Sequence, residues 1–292
     1  MLIFVSVLLG APVAKTDFPA QRSGCMAWED FSLPKDIEDT INDTMSAYSF
    51  RLEGDTLILD FGDVTAELPE KLNSGSELDH TMKTTGVFVS EKLAAVSVYD
   101  KNKQCTKVFV TADRGENWTL SEIDLGFGKE NFSVYQIYPT AQFISFSSAE
   151  HGVLAVTHRG MGSSGNTWLF ATSDGGKSWT RSGSEEWSGN MRVTYGVGFI
   201  DELHGFVSCG SALKPLEIRE TTDGGATWQA LELAEYLPDE LGEEARRGAF
   251  TGSPYISGQK VVFPIVFRDG ERPLCWIFNY GEGWKFSYDK PF

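Results

Sequence analysis

Three aspartates share one local setting. Asp113, Asp174 and Asp223 stand in Thr111-Ala-Asp113-Arg-Gly115-Glu-Asn117-Trp118, Thr172-Ser-Asp174-Gly-Gly176-Lys-Ser178-Trp179 and Thr221-Thr-Asp223-Gly-Gly225-Ala-Thr227-Trp228. Recurring carboxylates could act as general acids or bases, or hold a hard cation such as calcium. The same residue types also build a tight corner. A short Asp side chain accepts hydrogen bonds from N–H groups of its own turn. A glycine two residues on adopts a positive φ that a Cβ would penalise. The tryptophan then opens the next strand, and burying it contributes roughly 1.5–3 kcal/mol. The spacing therefore predicts structural corners, not reactive centres. A worn fourth copy, Asn279-Tyr-Gly281-Glu-Gly283-Trp284, keeps the glycine and the tryptophan and replaces Asp by Asn.

Other chemistry-bearing residues are scattered. His80, His151, His158 and His204 have no metal-ligand spacing, and His151 and His204 each precede a glycine, which suits a turn. Cys25, Cys105, Cys209 and Cys275 form no C-x-x-C pair. In an exported chain they would allow two disulfides in three connectivities, and buried thiols are the reading favoured for at least one pair. Gly160-Met-Gly-Ser-Ser-Gly165 lacks the lysine of a phosphate loop and reads as a flexible connection. Asn42, Asn117 and Asn131 begin glycosylation sequons, with Asn117 inside a corner. No metal site and no cofactor are expected.

The elements that position these residues repeat. Successive corner tryptophans lie 61, 49 and 56 residues apart. Phe88, Phe146, Phe199 and Tyr255 run in phase with them, at 30, 33, 29 and 29 residues from the corresponding tryptophan. Short β-forming runs lead into each corner: Lys107–Thr111, Trp168–Thr172, Leu216–Thr221 and Leu274–Phe278. Strand, turn, strand, loop, strand, corner, strand gives four antiparallel strands per unit of roughly 55 residues, which is a β-propeller blade. Units begin near residues 80, 137, 191 and 247. Residues 24–79 supply an irregular first blade that contains a hairpin around Glu53-Gly54-Asp55 and no corner motif. Asp36 to Ala47 is predicted as a short helix, with Ile37, Ile41 and Met45 on one face behind Pro34. The expectation is an all-β propeller of about five blades, four to six being possible, across 24–292. An N-terminal strand or cap would help to close the ring.

The corner sequence Ser/Thr-x-Asp-x-Gly-x-Thr/Ser-Trp resembles the Asp-box, or bacterial neuraminidase repeat. Three copies match it well, with Asn117 in place of Thr/Ser in the first, and the resemblance spans about residues 80 to 292. It is similar to the turns of sialidases, sortilin-type receptors, xyloglucanases and photosystem II assembly-factor propellers. The resemblance implies a propeller whose boxes face away from the binding end. By it, Asp113, Gly115, Trp118, Asp174, Gly176, Trp179, Asp223, Gly225, Trp228, Gly281 and Trp284 are structural. Phe50-Arg51-Leu52-Glu53 resembles the early sialidase arginine motif without its proline, which makes Arg51 the one weak catalytic candidate; no tyrosine nucleophile with its glutamate can be assigned.

Binding is expected on inter-blade and second-to-third-strand loops. Arg159, Trp187, Arg192, Tyr195 and Arg268 are the candidates there, because arginine grips carboxylates bidentately and aromatic rings pack on sugar faces. Residues 1–23 read as an export segment. Met1–Gly10 is an uncharged apolar run, too short to span a bilayer, with small residues behind it and cleavage expected near Ala11 or Ala14. The mature chain would be secreted or held in the cell envelope, with no membrane span. A net charge of −16 argues against a nucleic-acid partner. The leading expectation is a non-catalytic propeller that binds a protein or a glycan. The alternatives are an exo-sialidase-like glycoside hydrolase and an assembly factor for a membrane complex.

Overall fold

Valine, isoleucine, phenylalanine and threonine recur in short runs between Gly-, Asp- and Ser-rich turns, and these runs form the strands. The computed structural model describes residues 20–25, 48–72, 85–100, 102–125, 139, 141–159, 165–182, 193–211, 214–231, 236–239, 241, 249–251, 253–257, 259–267, 275–279 and 281–289. These residues contain 21 strands. After β1 (Ala20–Cys25) comes a three-stranded sheet of β2 (Ser49–Glu53), β3 (Thr56–Asp60) and β4 (Thr65–Glu67). The second blade is β5 (Gly86–Val89), β6 (Ala94–Asp100), β7 (Cys105–Thr111) and β8 (Thr119–Asp124). The third is β9 (Ala141–Phe146), β10 (Gly152–Arg159), β11 (Gly165–Thr172) and β12 (Thr180–Ser182). The fourth is β13 (Val193–Phe199), β14 (Gly205–Ser211), β15 (Lys214–Thr221) and β16 (Gln229–Leu231). In the fifth, β17 (Ala249–Phe250) pairs with β19 (Lys260–Phe267), which joins β18 (Tyr255–Ser257), β20 (Cys275–Asn279) and β21 (Trp284–Ser287). Among the described residues all pairings are antiparallel, blades one to four are meanders, and the fold is an all-β propeller of five blades. The short helix expected over 36–47 and the apolar run 1–10 lie outside the described residues.

The inner strands make a closed circuit. Strands β5, β9, β13 and β18 are successive neighbours with Cα atoms within 8 Å. Strand β1 completes the circle: Ala20 and Gln21 pair with Ser257 and Ile256, and Arg22 to Cys25 pair with Val89 to Gly86. The sheets of blades five and two are thereby continuous through β1. Among the described residues blade one has three strands, and β1 takes the innermost place in the circle without a ladder to β2. Its three strands correspond to the second, third and fourth of a full blade. Accordingly the β3–β4 turn meets the corner of blade two, where Arg114 grips both oxygens of Asp63 at 3.0 Å.

Close approach between inner strands requires glycine. A Cβ on Gly86 would lie 2.8 Å from the Gln142 carbonyl oxygen, and one on Gly196 would lie 2.1 Å from Ser253 Cα.

Four apolar seams fill the spaces between neighbouring sheets. Phe50, Leu57, Leu59 and Phe61 meet Val87, Val96 and Phe109 between blades one and two. Val108, Val110 and Ile123 meet Ile144, Leu154 and Val156 between blades two and three. Phe143, Val153 and Leu169 meet Val197 and Val207 between blades three and four. Phe206 and Ile218 meet Val261, Phe263 and Ile277 between blades four and five. Strands buried on both faces need no polar alternation, which explains the unbroken runs Val87–Val89 and Val261–Phe263.

The in-phase aromatic pattern holds for two blades only. Phe146 and Phe199 close the first strands of blades three and four and pair across with Gly152 and Gly205. Those glycines leave room for the rings: a Cβ on Gly152 would sit 2.7 Å from the Phe146 ring, and one on Gly205 would sit 2.5 Å from the Phe199 ring. In blade two the corresponding pair is Val89 with Ala94, because the turn is one residue shorter, and Phe88 instead faces blade three. In blade five Tyr255 pairs with Val262, and Ser257 precedes the turn.

Candidate functional site

The three corners have nearly identical hydrogen bonds. In blade three the buried Thr172 hydroxyl donates to Asp174 Oδ1 at 2.8 Å and accepts the Gly176 N–H at 2.9 Å. Asp174 Oδ1 also accepts the Ser178 N–H at 2.9 Å, and Oδ2 accepts the Ser178 hydroxyl at 2.6 Å. Blade four repeats this with Thr221, Asp223, Gly225 and Thr227. In blade two the Asn117 side-chain amide replaces the hydroxyl, donating to Asp113 Oδ2 at 2.7 Å. Each corner is also stapled to the first turn of its own blade. The N–H groups of Arg114, Gly175 and Gly224 donate to the carbonyls of Lys92, Glu150 and Leu203 at 2.9 Å. That position needs a left-handed backbone, with φ of 72° at both glycines and 60° at Arg114.

These bonds fix the charge state of the aspartates. The hydroxyl and N–H of Ser178, with the Thr172 hydroxyl, hold the Asp174 carboxyl down at about 2. Thr227 and Thr221 hold Asp223 at about 2 in the same way. The Asn117 amide and N–H, with Thr111, lower Asp113. Carboxylates so stabilised stay ionised at neutral pH and cannot act as general acids. They also sit on three separate blades, one to a corner. Among the described residues no group of three or more His, Cys, Asp or Glu side chains could hold a metal ion.

The corner glycine and tryptophan belong to the seams. Trp179 packs into the core between blades two and three, edge-on to Phe146 with ring centroids 6.1 Å apart. Its indole N–H reaches Ser121 Oγ of the preceding blade at 3.1 Å and the Gly176 carbonyl at 3.2 Å. Trp228 repeats the edge contact with Phe199 at 6.1 Å, and Trp284 meets Phe206 of the preceding blade at 5.5 Å. The glycines face the same neighbour. A Cβ on Gly115 would lie 2.3 Å from Ala66 Cβ, and one on Gly176 would lie 2.6 Å from Val110 Cγ2.

The opposite end of the ring is built differently. Strands β8, β12 and β16 run toward it, so the connections 125–140, 183–192 and 232–248 start and finish there, as do the hairpin connections 160–164, 212–213 and 268–274. Arg159 ends β10 at this end, its backbone paired with Gly165. Tyr195 lies buried on β13 beside an irregularity of register at Thr194/Gly196. Trp187, Arg192 and Arg268 lie outside the described residues. Arg51 is on β2 of the irregular blade, half-exposed, with Nε donating to Glu53 at 2.8 Å. Cys105 and Cys209 are buried free thiols, and burial pushes the Cys105 thiol up.

A charged cluster ties blades one and two at this end. Lys107 Nζ donates to both oxygens of Glu70, at 2.8 and 3.1 Å, and lies 3.2 Å from Asp100 Oδ2. Burial works against the Lys107 charge, but Glu70 and Asp100 outweigh it and raise its pKa. For Asp100 burial is likewise outweighed, by the N–H of Lys103 and by Lys107, and its pKa falls. A cation satisfied on all sides by its own chain is a clasp between blades and leaves nothing for a ligand.

No protein-family model and no curated protein matches the chain. Solved structures with some likeness include YCF48 bound to a D1 peptide, at 14% identity and a TM-score of 0.35 over 66% of this chain and 50% of that one. Another is the GH74 enzyme of Niastella koreensis, at 14% identity and 0.37, covering 67% of this chain and 28% of that one. A third is the NanB sialidase of Streptococcus pneumoniae, at 12% and 0.34, covering 86% and 37%. The chain thus spans half of the first and less than two fifths of the other two. The propeller assignment rests on the chain's own strand order and closed inner circuit.

Sequence reasoning missed one feature. A groove of about 510 Å³ runs between β8 and the corner of blade three, lined by residues 121–125, Phe170, Lys177, Ser178, Trp179 and Arg181. The signal was available in the repeat. Lys177 and Arg181 occupy places held by Glu116 and Leu120 in blade two and by Ala226 and Ala230 in blade four.

Proposed function

We propose that this chain is a non-catalytic Asp-box propeller, exported to the envelope or medium, that binds a protein or glycan partner through the loop face opposite its corners. The observation that carries the non-catalytic part is the state of the corner aspartates. They are the chain's most regularly placed carboxylates. Their hydrogen bonds keep them ionised, and they stand on separate blades. A glycosidase needs two carboxyl groups at about 5–9.5 Å across one sugar-binding cleft. Arg51 is already paired with Glu53. For the binding part, the division between the ends is the support. The corner end consists of short, internally bonded turns. At the other end lie Arg159, the last residue of β10, and the strand ends that lead into the sequence stretches holding Trp187, Arg192 and Arg268, and loops on a rigid frame are where binding residues concentrate.

Two experiments test the reading. Incubation with a fluorogenic sialoside and a small panel of aryl glycosides is expected to give no turnover; turnover abolished by Arg51→Ala would establish the hydrolase instead. Binding to an array of sialylated and uronate-containing glycans and to envelope-protein extracts is expected to fall on combining Arg159→Ala, Arg192→Ala and Arg268→Ala. Retained binding by that triple variant would remove the loop face from the proposal. An assembly factor for a membrane complex is the variant of this reading in which the partner is a protein.

A further inference from the structure

Side chains of a strand alternate between the two faces of its sheet. A groove lined by four consecutive strand residues and the residue that follows them therefore does not run along one face; it runs along the backbone edge. Residues 121–125 line the groove between blades two and three in this unbroken way. Among the described residues strand β8 is the outermost strand of its sheet, so its outer backbone groups face the groove. It is six residues long, whereas the corresponding β12 and β16 have three each. A long exposed edge offers backbone donors and acceptors to an added strand. Leu120, on the same edge strand, is 53% exposed.

The far wall of the groove is basic. Lys177 and Arg181 flank Trp179 at alternate positions, and all three line the groove. Both cations are exposed, and among the described residues neither side chain has a hydrogen-bond or ion-pair partner. The acids of the near wall are already engaged: Glu122 holds Lys103 at 2.5 Å, and Asp124 has a partner of its own. Ile123, Leu125, Phe170 and Trp179 supply an apolar floor. In a chain of net charge −16, two unpaired cations at this one seam favour an anionic occupant.

We propose that the groove is a strand-addition site for an extended acidic peptide segment of a partner protein. The segment lies along β8 as a fifth strand of blade two. Its main chain bonds to the β8 edge, its carboxylates reach Lys177 and Arg181, and its alternate apolar side chains rest beside Trp179 and Leu125. This site is distinct from the loop face: apart from Leu125, which follows β8, its residues lie on β8, β11, β12 and the corner of blade three.

A fluorescein-labelled, N-acetylated hexapeptide of alternating glutamate and valine is the probe, read by anisotropy against the intact protein. Saturable binding that weakens between 50 and 200 mM salt is expected. Replacing Lys177→Glu and Arg181→Glu together should weaken it by roughly tenfold or more. A peptide N-methylated at alternate amides keeps its charges but cannot complete a ladder, and it should also lose about tenfold. The same peptide with lysine for glutamate should not bind. Equal binding of the N-methylated peptide reduces the site to a surface charge effect and overturns strand addition. Binding unchanged in the double variant, or no saturable binding to the wild-type chain, overturns the site itself. Both substituted residues are exposed, Lys177 on the corner and Arg181 on β12, so an unchanged melting curve will confirm that the variant is folded.

Discussion

The corner threonine holds as much of the turn as the aspartate beside it, three hydrogen bonds each. Thr221 is buried, donates to Asp223 Oδ1 and accepts the N–H of Gly225. Thr221→Val keeps the shape, removes these bonds together with the one from the Asp223 N–H, and leaves the buried Gly225 N–H without its acceptor. It should cost about 1–3 kcal/mol in urea unfolding, with an unchanged m-value. The aspartates contribute a dependence on pH whose sign is fixed. Asp174 and Asp223 have folded values of about 2 against an ordinary 3.8. A depressed value means that the unfolded chain binds protons first as pH falls. Their contribution is therefore complete above about pH 4 and is lost progressively as pH drops toward 2. Thermal melts across pH 5 to 2 should show a steeper decline for the wild type than for a variant carrying Asp174→Asn and Asp223→Asn. Parallel curves would mean that the corners do not hold these carboxylates as described. This level of organisation was legible in the sequence, since Thr, Asp and Gly at fixed offsets specify a turn through local hydrogen bonding alone. What the offsets do not reveal is that each glycine and tryptophan also answers to the neighbouring blade.

At the scale of the element, that neighbour determines what a corner tolerates. Gly115 and Gly281 have nearly the same left-handed backbone, at φ of 89° and 88°. A methyl group on Gly115 would strike Ala66 Cβ at 2.3 Å, whereas one on Gly281 would meet nothing within 4 Å. Gly281→Ala should then cost only the backbone term, about 1–2 kcal/mol. Gly115→Ala should add an overpacking cost of roughly 1–3 kcal/mol, because Ala66 Cβ is fixed to β4 and cannot rotate away. Chemical denaturation of the two variants measures the difference, and equal losses would place blade one farther from blade two than described. The same dependence on neighbours explains where sequence patterns misled. The Phe-to-Trp spacing fits the contacts of Phe146 with Trp179 and of Phe199 with Trp228, but Phe88 keeps the spacing while it packs into the seam with blade three and Trp118 packs into the seam with blade one. Strand edges left no trace in residue periodicity, so the β8 groove became legible only when equivalent corner positions were compared across blades.

At the scale of the whole molecule the open question is closure. A ring of blades with free ends would expose the inner edges of its first and last sheets. Here, among the described residues, the first blade brings β2, β3 and β4, and the innermost place between β18 and β5 is filled by β1. Six residues thus bond to the sheets of blades five and two. Truncation separates this role from that of the preceding segment. A chain beginning at Ala20 keeps every β1 pairing and should melt at the temperature of one beginning at Val13. A chain beginning at Met26 loses the ladders to both β5 and β18. It should melt lower, and its calorimetric transition should broaden or split, because the two halves of the ring are no longer coupled through hydrogen-bonded strands. Glycine positions make this demand steep: Gly86 on β5 lies so close to Gln142 that the inner circle has no slack with which to close around a missing member. A single, unshifted transition in the chain beginning at Met26 would show that the apolar seams alone hold the ring, and that β1 lines a circle already closed by packing.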